Sequence, residues 1–379
     1  MIVPLFSDNL PDFPWDHLVP IRALAAEHPD GPVDLTIGTP VDPVPPLIRD
    51  ALTEASNAHG YPLTVGTPEL REAIGRWLRW HRGLDAQAEV GILPTLGSKE
   101  MVALLPALLG LGESDTVAFP RVAYPTYDVG ARLAGATPLP LDPESDPRTW
   151  PGSISLLWLN SPGNPDGHVL GIEQLRSIVA WARENDVVVA SDECYCELGW
   201  DVPDVPSILD RRVNDGDLTG LFCLYSLSKQ SNMAGYRAAF IAGDLKAIAA
   251  MTEVRKHAGF LMPGPVQHAM AVALGDDAHV TEQREIYRRR RVALRGVLDA
   301  AGLVNDEDSV AGLYLWVADR DGDASGWDLV HAFSKLGIIV APGDFYGEAG
   351  KRRVRISLTA TDEAIAEAVR RMPKLRDVL

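Results

Sequence analysis

The sequence predicts an α/β protein: a large domain with a mostly parallel sheet covered by helices on both faces, and a smaller α+β domain. Three observations predict it. From about residue 91 to residue 260, short and continuously apolar runs alternate with segments of helical period. Such runs are strands buried on both faces, the condition of a parallel sheet held between helix layers. After Pro265 the pattern changes to one long helical stretch followed by a strand, a helix, a strand and a last helix. The length, 379 residues of which 46% are hydrophobic and 23% charged, exceeds one ordinary domain and supplies a core without disulfide or metal staples. The chain divides accordingly into a large domain, residues 46–275, and a small one made of residues 1–45 and 276–379.

The elements follow in order. The proline-rich stretch from Pro29 to Pro46 is irregular and holds Leu35-Thr36-Ile37-Gly38-Thr39-Pro40. Thr67-Pro68 opens a helix that runs to about His81: the threonine caps free amides, and proline suits the first turn, where no N–H is needed. Leu70, Ile74, Trp77 and Leu78 fall on one face of it. A strand ends near Pro94, and a helix begins at Gly97-Ser98-Lys99-Glu100. Further strands occupy residues 116–119, 154–159, 187–190, 221–225 and 238–242, and Ile172, Leu175, Ile178, Val179 and Ala182 mark a helix between the second and third of these. The long helix runs through Arg288–Arg291 to about Ala301, and strands at 314–317 and 352–358 flank a helix at 326–336.

Charge and cysteines narrow the function. The chain has 35 Lys+Arg against 52 Asp+Glu, a net charge of −17. That balance disfavours nucleic acid and anionic membrane surfaces as partners, since both need surplus basic residues. The cysteines are Cys194, Cys196 and Cys223, too few and odd in number for a disulfide framework. Cys194-Tyr195-Cys196 lacks a second pair or a spaced histidine, so no metal is expected. Residues 1–20 contain no Lys or Arg, so no signal peptide is expected, and no apolar run reaches the roughly 18 residues needed to span a bilayer. A cytoplasmic protein is expected.

In a parallel sheet ligands bind beyond the carboxyl ends of the strands, so the residues just after each strand carry the information. The strand at 154–159 runs into Asn160-Ser161-Pro162-Gly163-Asn164-Pro165-Asp166-Gly167. The strand at 187–190 runs into Ser191-Asp192-Glu193-Cys194-Tyr195, and that at 221–225 into Ser226-Leu227-Ser228-Lys229, with Arg237 soon after. Singly, each is ordinary: a surface lysine, a turn aspartate, an Asn-Pro turn, a capped helix. Together they bring a lysine, an acid, an amide, a phenol and a helix N-terminus to one sheet edge. That set suits a phosphorylated aldehyde cofactor held as a Schiff base.

The order and spacing resemble the class I aminotransferases of the type I pyridoxal-phosphate fold. The resemblance runs from about Asp34 to Arg370 and rests on Gly97-Ser98-Lys99-Glu100, Asn164-Pro165-Asp166-Gly167, Asp192-Glu193-Cys194-Tyr195, Ser226-Leu227-Ser228-Lys229, Gly235-Tyr236-Arg237 and Val354-Arg355-Ile356-Ser357. It implies pyridoxal 5'-phosphate as cofactor, with Lys229 as the Schiff-base lysine and the acid–base group. It implies that Asp192 pairs with the pyridine nitrogen, that Asn164 and Tyr195 hydrogen-bond the ring oxygen, and that Tyr124 stacks on the ring. Ser98, Lys99, Ser226 and Arg237 would bind the phosphate, the first two through backbone amides. Arg355, together with the Gly38 amide, would take the substrate α-carboxylate. Tyr61, in Gly60-Tyr61-Pro62, matches the tyrosine that reaches the neighbouring subunit's phosphate, so a homodimer with shared active sites is implied. The chain departs from the family at Asp166, where threonine is usual, and at Ala239, where glycine is common; neither carries a role given above.

Phe13-Pro14-Trp15-Asp16, the Leu35–Pro45 stretch and Gly259-Phe260-Leu261-Met262-Pro263-Gly264-Pro265 are similar to N-succinyldiaminopimelate aminotransferases of bacterial lysine biosynthesis. That implies an amino exchange between N-succinyl-L,L-diaminopimelate and 2-oxoglutarate. The far acid of such a substrate calls for a cation, and Arg255, or Lys256 beside it, is the candidate. The alternatives are another aminotransferase of aspartate, aromatic or broad range, or a β-lyase on the same scaffold. A cofactor-sensing regulator is not expected, since it would need a basic DNA-binding module and this sequence shows no basic segment for one. A nicotinamide dehydrogenase is disfavoured because Gly110-Leu111-Gly112 follows a helix rather than a strand.

Overall fold

In the computed structural model, which describes residues 10–379, the first helices and strand are α1 (Val19–Ala26), β1 (Val33–Asp34), α2 (Pro46–Glu54) and α3 (Pro68–His81). The Thr67 hydroxyl accepts from the Leu70 amide at 3.2 Å, the cap its sequence predicts. Leu70, Ala73, Ile74, Trp77 and Leu78 make the buried face of α3.

The large sheet comprises β2 (Gly91–Leu96), β3 (Thr116–Pro120), β4 (Thr137–Leu141), β5 (Ile154–Asn160), β6 (Val188–Asp192), β7 (Leu221–Ser226) and β8 (Ala238–Gly243), in the order β2-β8-β7-β6-β5-β3-β4. Pairing is parallel from β4 across to β7, while β8 runs antiparallel to both its neighbours. The strands are apolar on both faces, and the pleat sorts them. Leu157 and Leu159 of β5 and Cys223 and Tyr225 of β7 join one cluster, which α3, α6 (Ile172–Glu184) and the segment after β8 also fill. Leu156, Trp158, Phe222 and Leu224 join the other, beneath α4 (Ser98–Leu108) and α5 (Thr126–Leu133). Each leucine or phenylalanine among them, fully buried, contributes about 1.5–3 kcal/mol. All three cysteines are buried and free.

β4 is a strand that periodicity does not reveal. Pro138 and Pro140 remove two ladder donors, so it stands only at the sheet edge, beside β3. The short α7 (Arg211–Asn214), α8 (Leu245–Ala258) and α9 (Gly264–Ala273) lead to α10 (Ala278–Arg295). α10 stops short of the expected end near Ala301 because Gly296 caps it and turns follow.

The C-terminal part holds β9 (Leu303–Asn305), β10 (Tyr314–Asp319), α11 (Gly326–Lys335), β11 (Ile338–Ile339), β12 (Ala341–Pro342), β13 (Arg353–Ser357) and α12 (Asp362–Arg371). Four of its strands form an antiparallel sheet in the order β12-β13-β10-β9. β1 pairs in parallel with β11, and Leu18, Ile21, Ala25 and Leu35 bury themselves in the same cluster as Leu315, Phe333 and Ile356. The N-terminal segment thus packs with the C-terminal one. Among the described residues no helix is long and apolar enough to cross a membrane.

Candidate active site

The carboxyl ends of β5, β6 and β7 lie level, because Asn160 is in register with Asp192 and Asp192 with Leu224. The loops that follow them open into one cavity of about 1800 Å³. Ser98, Lys99, Tyr124, Asn164, Asp192, Tyr195, Ser226, Lys229, Arg237, Gly38 and Arg355 all line it.

Asp192 is 7% exposed, and both its oxygens are engaged: Tyr127 donates its hydroxyl to Oδ2 at 3.1 Å and the Cys194 amide donates to Oδ1 at 3.2 Å. Burial pushes this carboxyl above its usual range, and those two donors oppose the push. Lys229 donates through Nζ to the Gly38 carbonyl. Burial, with the nearby charges of Arg355 and Arg237, moves its amine below the usual lysine range. A neutral, nucleophilic amine is therefore more accessible here than on a surface lysine.

The Tyr195 hydroxyl lies 3.3 Å from that of Tyr314. Burial raises the Tyr195 phenol well above its usual range, whereas at Tyr314 the Arg355 and Lys229 charges outweigh burial and lower it. Tyr314 also explains Gly38: a Cβ there would stand 2.0 Å from the Tyr314 hydroxyl.

A cradle forms where β2 ends. Gly97 has φ +83°, a left-handed conformation that glycine takes freely, and a Cβ on it would meet Arg237 Nη2 at 2.1 Å. The guanidinium therefore lies directly on the turn that starts α4, donating to the Ala234 carbonyl at 2.8 Å. The Ser226 and Ser228 hydroxyls, 2.7 Å apart, close the side of the cradle. Free amides at a helix start beside an arginine form an anion site.

Arg355, on β13, is 3% exposed. Nη1 donates to Asn164 Oδ1 at 2.8 Å and Nη2 to the Thr36 carbonyl, while Nε has no partner. The guanidinium lies over the Tyr314 ring at 3.9 Å and the Tyr346 ring at 4.9 Å. A buried guanidinium with an idle N–H and no carboxylate is ready for an anionic ligand. Among the described residues, Lys99, Lys229, Arg237 and Arg355 are cavity cations without a carboxylate in ion-pair range, whereas Arg22 pairs with Asp34 and Arg121 with Asp142. The donor set fits a ligand that carries a phosphate and a substrate that carries carboxylates. The acidic chain thus encloses a positive island.

Arg255 requires a correction. It is 0% exposed, both its Nη atoms bind the Glu100 carboxylate, and Phe260 covers it at 5.0 Å. A guanidinium this deeply buried needs its counter-charge, and Glu100 supplies it, so Arg255 anchors the first turn of α4 and cannot meet a substrate. Lys256 lies on the surface, paired with Glu253. Tyr61 is 97% exposed and outside the cavity. Tyr127, Tyr314 and Tyr346 belong to the site but were not singled out by sequence. Tyr127 carries a signal, since it follows Tyr124 by three positions at the start of α5; Tyr314 and Tyr346 carry none.

Comparison with known proteins shows the family. The family model described as aminotransferase class I and II matches residues 30–372. The chain is 53% identical over 368 residues to the probable aminotransferase Rv1178 of Mycobacterium tuberculosis, covering 97% of this chain and 86% of that one. It is 51% identical over 364 residues to the 4-dedimethylamino-4-oxo-anhydrotetracycline transaminase OxyQ of Streptomyces rimosus, covering 96% and 99%. Its fold is similar to the solved structure of a probable N-succinyldiaminopimelate aminotransferase from Thermus thermophilus, with a TM-score of 0.85 at 28% identity, covering 96% of this chain and 100% of that one. The chain therefore belongs to the class I and II aminotransferases, has their type I fold, and uses pyridoxal 5'-phosphate.

Proposed function

We propose that this aminotransferase exchanges an amino group between an acidic amino acid and 2-oxoglutarate, with N-succinyl-L,L-diaminopimelate as the acidic partner. The observation that carries the reading is the set of cavity cations beside Lys229 that have no carboxylate partner among the described residues. Arg237 answers a phosphate and Arg355 an α-carboxylate. Lys99, whose ammonium lies 6.0 Å from the Phe13 ring and 5.8 Å from the Tyr124 ring, is left for a distal acid. In this it takes the place expected of Arg255.

The cofactor, when bound, supplies an electron-withdrawing ring that accepts the electron pair of the substrate Cα–H bond. The chain's own groups do the rest. Lys229 Nζ, its basicity lowered by burial, would take the Cα proton and hold it for return across the intervening nitrogen. Asp192 keeps a proton on the ring nitrogen. Asn164 and Tyr195 donate to the ring oxygen; Asn164 has its amide nitrogen free for this, because its Oδ1 already accepts from Arg355. Tyr124 covers one ring face. The Ser98 and Lys99 amides, Ser226 and Arg237 hold the phosphate. Tyr61, fully exposed in one chain, is read as reaching into the site of a second copy in a homodimer.

One specific observation favours a second reading. Phe13, Trp15, Tyr124, Phe345 and Tyr346 make much of the cavity wall aromatic, and the 51% identical relative is named for a tetracycline-type substrate. A bulky ring-bearing substrate would suit such walls. The test is a coupled assay that presents N-succinyl-L,L-diaminopimelate, other acidic donors and aromatic donors with 2-oxoglutarate. Glutamate and a 2-oxo acid as products mark transamination, and ammonia with pyruvate marks a lyase. A preference for aromatic over acidic donors would replace the first reading by the second. Borohydride reduction that labels any residue other than Lys229 would overturn the assignment of roles.

A further inference from the structure

Tyr127 sits on α5, three residues beyond Tyr124, and is fully buried. Its ring stacks on Phe119 at 6.5 Å, leans on Trp158 at 5.2 Å and meets Tyr124 edge-on at 6.3 Å and 89°. Phenylalanine would fill this aromatic niche without the cost of taking a hydroxyl out of water. The hydroxyl therefore needs a buried acceptor, and it has one: Asp192 Oδ2, 3.1 Å away. The Cys194 amide occupies the other oxygen, so the carboxylate is gripped from α5 and from its own loop while it still borders the cavity.

We infer that Tyr127 is a positioning residue for transamination: its O–H orients the Asp192 carboxylate and keeps it ionised, and through Asp192 it sets the protonation of the cofactor's ring nitrogen. The inference rests on the role given to Asp192 above. The physics points one way. Burial and the neighbouring Glu193 both favour the neutral form of Asp192, which could not hold a proton on a ring nitrogen. The Tyr127 hydroxyl and the Cys194 groups favour the charged form. A hydrogen bond to a charged group in a dry site is among the stronger kinds. Tyr124 and Tyr127 thus divide two tasks at the start of α5, one ring against the cofactor and one hydroxyl behind its acid.

The test uses the Tyr127→Phe holoenzyme loaded with cofactor carrying 15N in the ring. Phe keeps the packing on Phe119 and Trp158, and near-ultraviolet circular dichroism checks that it does. The ring-nitrogen resonance is expected to move toward that of the unprotonated ring, and the apoprotein to bind cofactor about tenfold more weakly. kcat is expected to fall about tenfold, with KM for both substrates within about twofold. An unmoved resonance overturns the inference, whatever happens to kcat, because a merely structural role slows turnover without touching ring protonation. Asp192→Asn is the reference variant. If it moves the resonance and Tyr127→Phe does not, the role of Tyr127 alone is wrong; if neither does, the placement of Asp192 at the ring nitrogen fails.

Discussion

Asn164 Oδ1 accepts a hydrogen bond from Arg355 Nη1 at 2.8 Å, joining the loop after β5 to β13, 191 positions apart. The contact fixes the guanidinium plane while Nε stays idle. Arg355→Lys would keep the charge but lose the planar fork. It is expected to lower kcat/KM for amino-acid substrates about 100-fold, mainly through KM, with cofactor absorbance retained. Steady-state kinetics checks this, and a variant within threefold of wild type would refute the assignment.

Gly97→Ala introduces a Cβ where Arg237 Nη2 now lies, at a backbone angle alanine resists. The arginine must retreat from the cradle. The expected outcome is at least about tenfold weaker cofactor binding, measured by titrating the apoprotein, together with a lower melting temperature of the apo form from the strained backbone.

Lys99→Met keeps the stem against Phe13 and Tyr124 but removes the charge. KM for an acidic donor should rise about tenfold more than KM for a neutral donor of equal length. Equal changes for both donors would remove Lys99 from substrate selection.

Arg255→Met should leave donor preference unchanged and lower unfolding free energy by about 3 kcal/mol, because Glu100 loses the charge it was built around. Denaturant titration and donor competition together separate the two effects. A loss of acidic-donor preference would restore the role the structure denies it.

His168 lies 2.6 Å from Glu144 and 3.4 Å from Asp306. Burial disfavours its charged form, yet the surrounding acids, Asp166 included, win and raise its pKa to about 10. The folded value exceeds the unfolded one near 6.5, so the stabilisation is complete below that pH and is lost as pH rises toward 10. Melting temperature should therefore fall between about pH 7 and pH 10, and His168→Gln should flatten that slope. Asp166, the departure from the family pattern, finds its physical place here rather than at the cofactor.

Local chemistry was legible in the sequence and long-range pairing was not. The Thr67 cap, the Gly97-Ser98 turn and the strand ends at Asp192 and Lys229 are each written in a few adjacent residues, so periodicity and turn rules find them. β4 escaped because its two prolines mimic a loop, and only its edge position makes it a strand. Arg255 misled for a different reason. Its charge is visible in the chain, but its partner Glu100 lies 155 positions away, and one sequence cannot show that the charge is already spoken for. Tyr314 enters the site only because β10 runs beside β13, a pairing decided by the whole fold.

The backbone just after β1 has a consequence for how the protein moves. The Thr36 carbonyl holds Arg355 and the Gly38 carbonyl holds Lys229, with Ile37 between them tied to Thr359. The residue proposed to meet the substrate's acid and the residue proposed to move its proton are thus moored to one short cord, and that cord is sewn to the C-terminal part through Leu35, Ile339 and Ser357. A displacement of this cord would reach both side chains at once, because one three-residue stretch carries both of their carbonyl partners.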